Sequence, residues 1–257
     1  MLHRLASVAL LLIGSSAAGQ AIVAPTTQPS VESILARHVE AIGGAAARDA
    51  VTTQRMTGTI ELPSLDITGE LTILVAQPDR IRVTVEFEGL GKVEQGAAAG
   101  VGWANDPFSG PRIMAEAERL LLSRSIDAAD PLKGFASAVV VGDESVAGRK
   151  ATRIKFLADA GHEIDEWYAK DTGRLLQRQA TWQTDFGPEE QTILYSDYAP
   201  VGDSDLLAPK RSEQTFGTND LVIVLDTMES NVQIPDDAFA PPAAVQELLD
   251  RELEFVP

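Results

Sequence analysis

The sequence contains no cysteine among its 257 residues. No disulfide can form, although export would permit one. No cysteine is available for lipid attachment at a processed N-terminus either, so we expect a protein that is not itself a lipoprotein. The stability of the fold must come from its hydrophobic core alone.

Basic residues are also scarce. Lys and Arg number 21 against 38 Asp and Glu, which gives a formal net charge of −17. A nucleic-acid partner needs a basic patch, and so does adsorption to anionic lipid headgroups. We therefore expect no nucleic-acid partner, and the charge mainly confers solubility.

Residues that could carry catalysis or hold a metal are few. His38 lies on the apolar stripe of a predicted helix, where a place in the core or at the helix edge explains it best. His162 alternates with Glu163 and Asp165 along a predicted strand and cannot point with them; a solvated acidic face explains this strand better than a calcium site. Ser145 lacks the spacing of a nucleophile elbow. We predict no catalytic residue, no metal site and no cofactor, and hence no enzyme.

Long apolar runs are absent except at the N-terminus. Met1–Arg4 is a short positive region, and Leu5–Ile13 is apolar but too short to span a bilayer. Small residues follow, as at the cleavage site of a signal peptide, and cleavage could occur after Ala18 or Ala21. We predict a signal peptide over residues 1–21, with an uncleaved anchor as the alternative, and a soluble mature protein, periplasmic or secreted, without a transmembrane segment.

The most informative stretch is Ile67–Phe87. Two alternating runs flank a turn at Pro78, and a side-chain period of two is that of a β-strand. Proline cannot donate to a strand ladder and favours a turn. The stretch therefore predicts a long antiparallel hairpin with one apolar and one polar face.

Helices are predicted at three places. After a flexible leader over residues 22–29, apolar residues at helical spacing predict a helix from Val31 to Ile42, which Gly43–Gly44 ends. Further helical pieces are predicted between roughly 112 and 135, and a last one over Ala243–Arg251.

Strands with turn signals fill the rest in two blocks. We predict loops at WANDPFSGPR, which begins with Trp103, and at Thr184–Glu190. Regularly spaced strands and separate helices predict an α+β domain over residues 30–257, built on a large antiparallel sheet or open barrel.

Six segments follow one another along the chain in a characteristic order. They are IGGAAARDAVTTQRMTGTIEL from Ile42, LVAQPDRIRVTV from Leu74, VGWANDPFSGPRIM from Val101, WYAKDTGRLLQ from Trp167, YSDYAPVGDSDLLAPKRSEQT from Tyr195 and NVQIPDDAFAPP from Asn231. In this order the segments resemble the LolA-like periplasmic lipoprotein carriers, a group often described as outer-membrane lipoprotein-sorting proteins. The resemblance covers about residues 30–242 and departs from the usual pattern at Val201–Pro209, which is longer and more acidic.

The resemblance implies a strongly curved antiparallel β half-barrel with helices packed on its concave face. It also implies an apolar cavity between sheet and helices that holds an acyl chain of a lipid or lipoprotein. The alternative for each cavity residue is a place in the core beneath the helices. The expected cavity residues are Leu71, Ile73, Val83, Val85, Phe87, Trp103, Ile154, Phe156 and Trp182.

Three functions stay open at this point. The first is an exported carrier of acyl chains. The second is a binding or sensing module of the same fold that docks an envelope membrane protein and carries no lipid. The third, a hydrolase, would need clustered titratable groups in a cleft.

Overall fold

The computed structural model describes residues 28–116, 118, 119, 122, 132, 135–158, 162–184, 187–217 and 219–254. For residues 158, 182–184, 187–189 and 252–254 it describes the backbone alone. The predicted signal peptide, most of the leader and most of the predicted middle helices lie outside the described residues.

Two helices open the described chain, α1 over Val31–Ala41 and α2 over Gly44–Ala50. Ser30 caps α1, since its hydroxyl accepts a hydrogen bond of 3.2 Å from the backbone N–H of Ser33. Gly43 separates the helices at φ 114°, in the left-handed region that favours glycine. The predicted first helix and its glycine stop are confirmed.

The described residues form thirteen strands in two blocks. The first block is β1 (Thr53–Leu62), β2 (Ile67–Ala76), β3 (Arg80–Phe87), β4 (Gly91–Ala98), β5 (Val101–Asp106) and β6 (Gly110–Ile113). The second is β7 (Phe135–Val146), β8 (Arg149–Ala158), β9 (Glu163–Ala169), β10 (Leu175–Thr184), β11 (Gly187–Pro200), β12 (Leu207–Phe216) and β13 (Asn219–Ser230). Short 3-10 turns cover Pro63–Leu65 and Asp236–Phe239, and α3 covers Ala243–Glu254.

All the strands belong to one antiparallel sheet, and each block is a meander. The blocks join where β1 pairs with β13, as Ile60 does with Ile223. The order is therefore β6-β5-β4-β3-β2-β1-β13-β12-β11-β10-β9-β8-β7, with β6 and β7 at the edges of a curved sheet that does not close. The predicted α+β half-barrel is confirmed.

The loop predicted at Trp103 is wrong, because WANDPFSGPR folds into the β5–β6 hairpin. The carboxylate of Asp106 accepts hydrogen bonds of 2.8 Å from the backbone N–H groups of Phe108 and Ser109. Gly110 follows at φ 75°. The turn-forming residues therefore close a tight turn, and Trp103 lies within a strand.

The loop predicted over Thr184–Glu190 is also mostly strand. β11 begins at Gly187, which pairs with Thr184 at the end of β10. Pairing with β10 gives these polar residues backbone partners that composition alone does not reveal.

The strand register defines two faces of the sheet. On the inner, concave face, Ile34 and Leu35 of α1 pack against Ile154 and Phe156. On the outer face, Arg82 donates hydrogen bonds to the backbone oxygens of Ala238 and Ala240, at the end of the Asp236–Phe239 turn. The helix α3, which follows this turn, packs against β5 and β6. The helix predicted on the concave face is thus α1, whereas the C-terminal turn lies on the opposite face.

Candidate functional site

A continuous apolar surface crosses five strands of the inner face, β13, β1, β2, β3 and β4. Four of its side chains are buried and eight are half-buried. In the β2–β3 hairpin, Leu71 pairs with Val85 and Ile73 with Val83, so these side chains share the inner face. We call this set the inner apolar surface; its residues are Met56, Ile60, Leu71, Ile73, Val83, Val85, Phe87, Val93, Leu221, Ile223, Leu225 and Met228.

Phe87 occupies space that a glycine leaves open. It pairs with Gly69 across the hairpin. A Cβ at Gly69 would lie 2.7 Å from the Phe87 ring. The missing side chain therefore leaves room for the Phe87 ring on the inner face.

The chain that leaves β6 covers one end of the inner face. A Cβ at Gly102 of β5 would lie 2.9 Å from Cβ of Arg119 and 3.2 Å from Cβ of Met114. Leu122 packs on a small apolar cluster of β2, β3 and β4. The inner apolar surface lies between this cover and α1.

Five of the predicted cavity residues come together as the sequence indicated. Leu71, Ile73, Val83, Val85 and Phe87 all belong to the inner apolar surface. Ile73, Val83 and Phe87 are half-buried, so part of each side chain stays accessible on the concave face.

Ile154 and Phe156 lie on the same face but in a different environment. Both are fully buried beneath α1, and the ring of Phe156 lies 5.2 Å from that of Phe135. They form the core under α1, which is the alternative noted above, and an acyl chain would reach them only if α1 moved.

Trp103 lies on the outer face and not in the cavity. Its strand partner is Gly96, and Gly96 pairs with Arg82, which points outward beneath the Asp236–Phe239 turn. The Trp103 ring is 2 % exposed and 5.5 Å from the Arg82 guanidinium. The sequence analysis placed Trp103 in a loop, and a loop has no strand register that could indicate which face the side chain joins. In β5, alternate side chains point to opposite faces of the sheet, and Trp103 points outward.

Trp182, the last predicted cavity residue, lies in β10 opposite Glu189. Its side chain lies outside the described residues, so its place in the cavity stays a prediction.

Sequence reasoning missed a buried ion pair on the inner face. Glu166 is 1 % exposed and Arg178 is 8 % exposed. The Arg178 Nε–H donates to Glu166 Oε1 over 2.9 Å, and the Tyr168 hydroxyl donates to Glu166 Oε2. The signal was present: Ile164, Glu166 and Tyr168 alternate along β9, so a glutamate occupies an apolar position.

The surroundings of this pair keep the arginine charged. Burial alone would lower the pKa of Arg178, but its interactions with Tyr195 and Glu166 raise the pKa above its ordinary value. The guanidinium lies 5.9 Å from the centroid of the Tyr195 ring. The inner face thus carries a charged but compensated polar group beside α1.

One histidine of the described chain lies at the edge of α1. His38 Nδ1 lies 3.1 Å from the backbone oxygen of Gly173, and its ring packs edge-on against Tyr168 at 5.1 Å. This is the helix-edge position expected for it. The described residues contain no group of three or more His, Asp or Glu placed to hold a metal ion.

A second ion pair lies on the outer face. Arg82 contacts Glu94 at 2.6 Å, and Lys92 approaches the same carboxylate oxygen at 3.1 Å. Burial raises the pKa of Glu94, but the hydrogen bonds and charges of Arg82 and Lys92 lower it by more, so the net shift is downward. Arg82 therefore anchors the C-terminal turn on the outer face.

This lowered pKa predicts an acid-sensitive contribution to stability. A carboxyl with a lowered folded-state pKa stabilises the fold above its unfolded pKa of about 4.3, and the contribution disappears as the pH falls through the folded pKa. Glu94→Gln should therefore be less stable than the wild type near neutral pH, and the two should converge in acid. Urea unfolding at about pH 7 and about pH 3 measures this; a constant difference would contradict it.

The geometry defines a class of protein. A curved, unclosed antiparallel sheet with a helix on its concave face and an apolar inner surface is the LolA-like fold. Among the described residues, none of the helices combines the length and apolar character needed to cross a bilayer.

Solved structures show the same fold. A DUF1329 family protein from Desulfovibrio piger matches at a TM-score of 0.57 and 14% identity, covering 84% of this chain and 100% of the other. A LolA superfamily protein from Nitrosomonas europaea matches at a TM-score of 0.57 and 14% identity, and the match covers 83% of this chain and 99% of the other. A putative outer membrane lipoprotein-sorting protein domain from Vibrio parahaemolyticus matches at a TM-score of 0.50 and 12% identity. This match covers 84% of this chain and 100% of the other.

No protein family matches the sequence, and no curated protein does either. The likeness to LolA-like proteins is thus confirmed at the level of the fold.

Proposed function

We propose that this protein is an exported carrier that holds an acyl chain of a lipid or lipoprotein on the inner apolar surface. The observation that carries the proposal is the eight half-buried apolar side chains on the concave face. A packed core would bury them, whereas a carrier leaves them accessible to its cargo. The predicted signal peptide supports export to the periplasm or beyond.

The fold supports binding more than catalysis. Among the residues that the structure describes, the inner face offers apolar contacts and one compensated ion pair. The alternative is an envelope protein-binding or sensing module of the same fold without lipid. In that case the same surface would stay empty or be filled by the protein itself.

Native mass spectrometry tests the proposal directly. The protein, expressed with its own N-terminus and purified without detergent, should carry an extra mass that organic extraction releases as a lipid. The delipidated protein should then bind the fluorescent apolar probe N-phenylnaphthylamine. A protein that carries no lipid, binds no probe and instead retains a membrane-protein partner would favour the sensing module.

Two substitutions locate the site. Ile73→Thr with Val83→Thr exchanges two facing apolar side chains for polar ones and should weaken probe binding about ten-fold, because each lost methyl contact costs about 0.8 kcal/mol and each hydroxyl must be desolvated. The measurement is a fluorescence titration of the delipidated protein.

The matched control lies one residue along each strand. Thr72 and Thr84 pair on the outer face. Thr72→Val with Thr84→Val makes the opposite exchange there and should leave probe affinity unchanged. Equal affinities for both double variants, each folded by circular dichroism, would show that the probe binds elsewhere.

A further inference from the structure

A row of side chains links the buried ion pair to the inner apolar surface. Arg178, Ile193, Gln214 and Leu221 are successive Cα partners on β10, β11, β12 and β13. Strands lie about 4.8 Å apart, so the row runs about 14 Å from Arg178 to Leu221. Ile193, Gln214 and Leu221 are all half-buried, so the row stays partly accessible on the inner face.

Arg178 keeps unused hydrogen-bond donors at one end of this row. A guanidinium has five N–H donors, and Glu166 takes the one on Nε. The terminal nitrogens of Arg178 have no acceptor among the described residues. Trp103 Nε1 is the sole fully buried side-chain nitrogen or oxygen there without a partner, so the terminal nitrogens of Arg178 are not fully buried, although its side chain is only 10% exposed.

Glu166 determines which acceptor suits these donors. Its carboxylate, 1 % exposed, already neutralises the guanidinium. A ligand carboxylate would bring a second negative charge beside Glu166, where burial weakens solvent screening. An ester carbonyl would accept the same hydrogen bonds without adding charge.

We propose that Arg178 binds the ester carbonyl of the cargo, so that the protein selects esterified acyl chains over free fatty acids. The inference rests on the proposed carrier function and names the chemical class of its cargo. The acyl chain extends along the row toward Leu221, and the ester group lies at Arg178.

Displacement of N-phenylnaphthylamine tests this selectivity. Methyl laurate and laurate share one acyl chain and differ at the polar end. The delipidated wild-type protein should release the probe at a concentration of methyl laurate several-fold below that of laurate, at neutral pH and below the micelle-forming concentration.

Glu166→Gln should reverse this preference, so that the variant binds laurate more tightly than methyl laurate. Glutamine keeps an oxygen for the Arg178 Nε–H but removes the compensating charge, so Arg178 then attracts the carboxylate. The ratio of laurate to methyl laurate affinity should rise about ten-fold, as expected for a hydrogen bond to a charged group.

Asp165→Asn is the matched control. Asp165 precedes Glu166 on β9, points to the outer face and receives hydrogen bonds of 2.8 and 2.9 Å from Arg153. This variant removes a paired carboxylate of the same strand and should leave the laurate to methyl laurate ratio unchanged.

The outcomes separate the two proposals. Probe binding with no ester preference in the wild type, or with a ratio that Glu166→Gln does not move, overturns the role of Arg178 and leaves the carrier standing. Failure of the folded wild type to bind any acyl compound overturns the carrier function and this inference with it. If Glu166→Gln does not fold, the wild-type preference decides alone.

Discussion

Arg178→Met is expected to lower the free energy of unfolding by about 3–5 kcal/mol. Removal of the guanidinium takes away the arginine that pairs with the carboxylate of Glu166, which is 1 % exposed and accepts a hydrogen bond from the Tyr168 hydroxyl. A buried carboxylate that loses the cation pairing with it carries a larger desolvation cost. Urea unfolding followed by circular dichroism measures the loss.

A second substitution identifies the cause. Glu166→Gln combined with Arg178→Met removes both charges and should recover most of the stability, because the loss comes from the carboxylate that has lost its arginine and not from the packing of the arginine stem. A double variant as unstable as Arg178→Met would assign the effect to lost packing instead.

The outer face supplies a matched comparison. Arg153 pairs with Asp165, but these side chains are 25% and 12% exposed, so water can solvate the carboxylate that Arg153→Met leaves behind. Arg153→Met should therefore cost clearly less than Arg178→Met. The contrast would show that burial, and not the number of hydrogen bonds, makes the inner pair important for the fold.

The hairpin over Ile67–Phe87 shows why much of the fold could be predicted from the sequence. Its alternating side chains and Pro78 specify both strands and the turn, and the observed strands end at Ala76 and begin at Arg80. Alternation also specifies which residues share a face. The five hairpin residues of the predicted cavity therefore share the inner face, and their contact with a ligand stays a prediction.

The partners across distant strands could not be predicted in the same way. Glu166 and Arg178 meet because β9 and β10 pair in a register that includes an irregularity between Leu175 and Gln177. Nothing local to either residue specifies that register. The burial of Ile154 and Phe156 likewise depends on where α1 packs, which is a property of the whole fold.

Trp103→Ala is expected to lower the free energy of unfolding by about 3–5 kcal/mol, the usual cost of removing a buried aromatic side chain. The ring lies against Gly96, where a Cβ would be 2.6 Å from it, and beneath Arg82. Trp103→Phe should cost less than Trp103→Ala, because phenylalanine retains part of this contact. Trp103→Phe also removes the indole N–H, which has no hydrogen-bond partner and is therefore costly to bury.

The same variant distinguishes the outer face from the cavity. If Trp103 lies on the outer face, Trp103→Phe should bind N-phenylnaphthylamine with wild-type affinity, whereas Ile73→Thr with Val83→Thr should not. A loss of probe binding in a stable Trp103→Phe protein would restore the cavity position that its sequence context predicted. It would also contradict the β4–β5 register, since that register places Trp103 opposite Gly96 and on the side of Arg82.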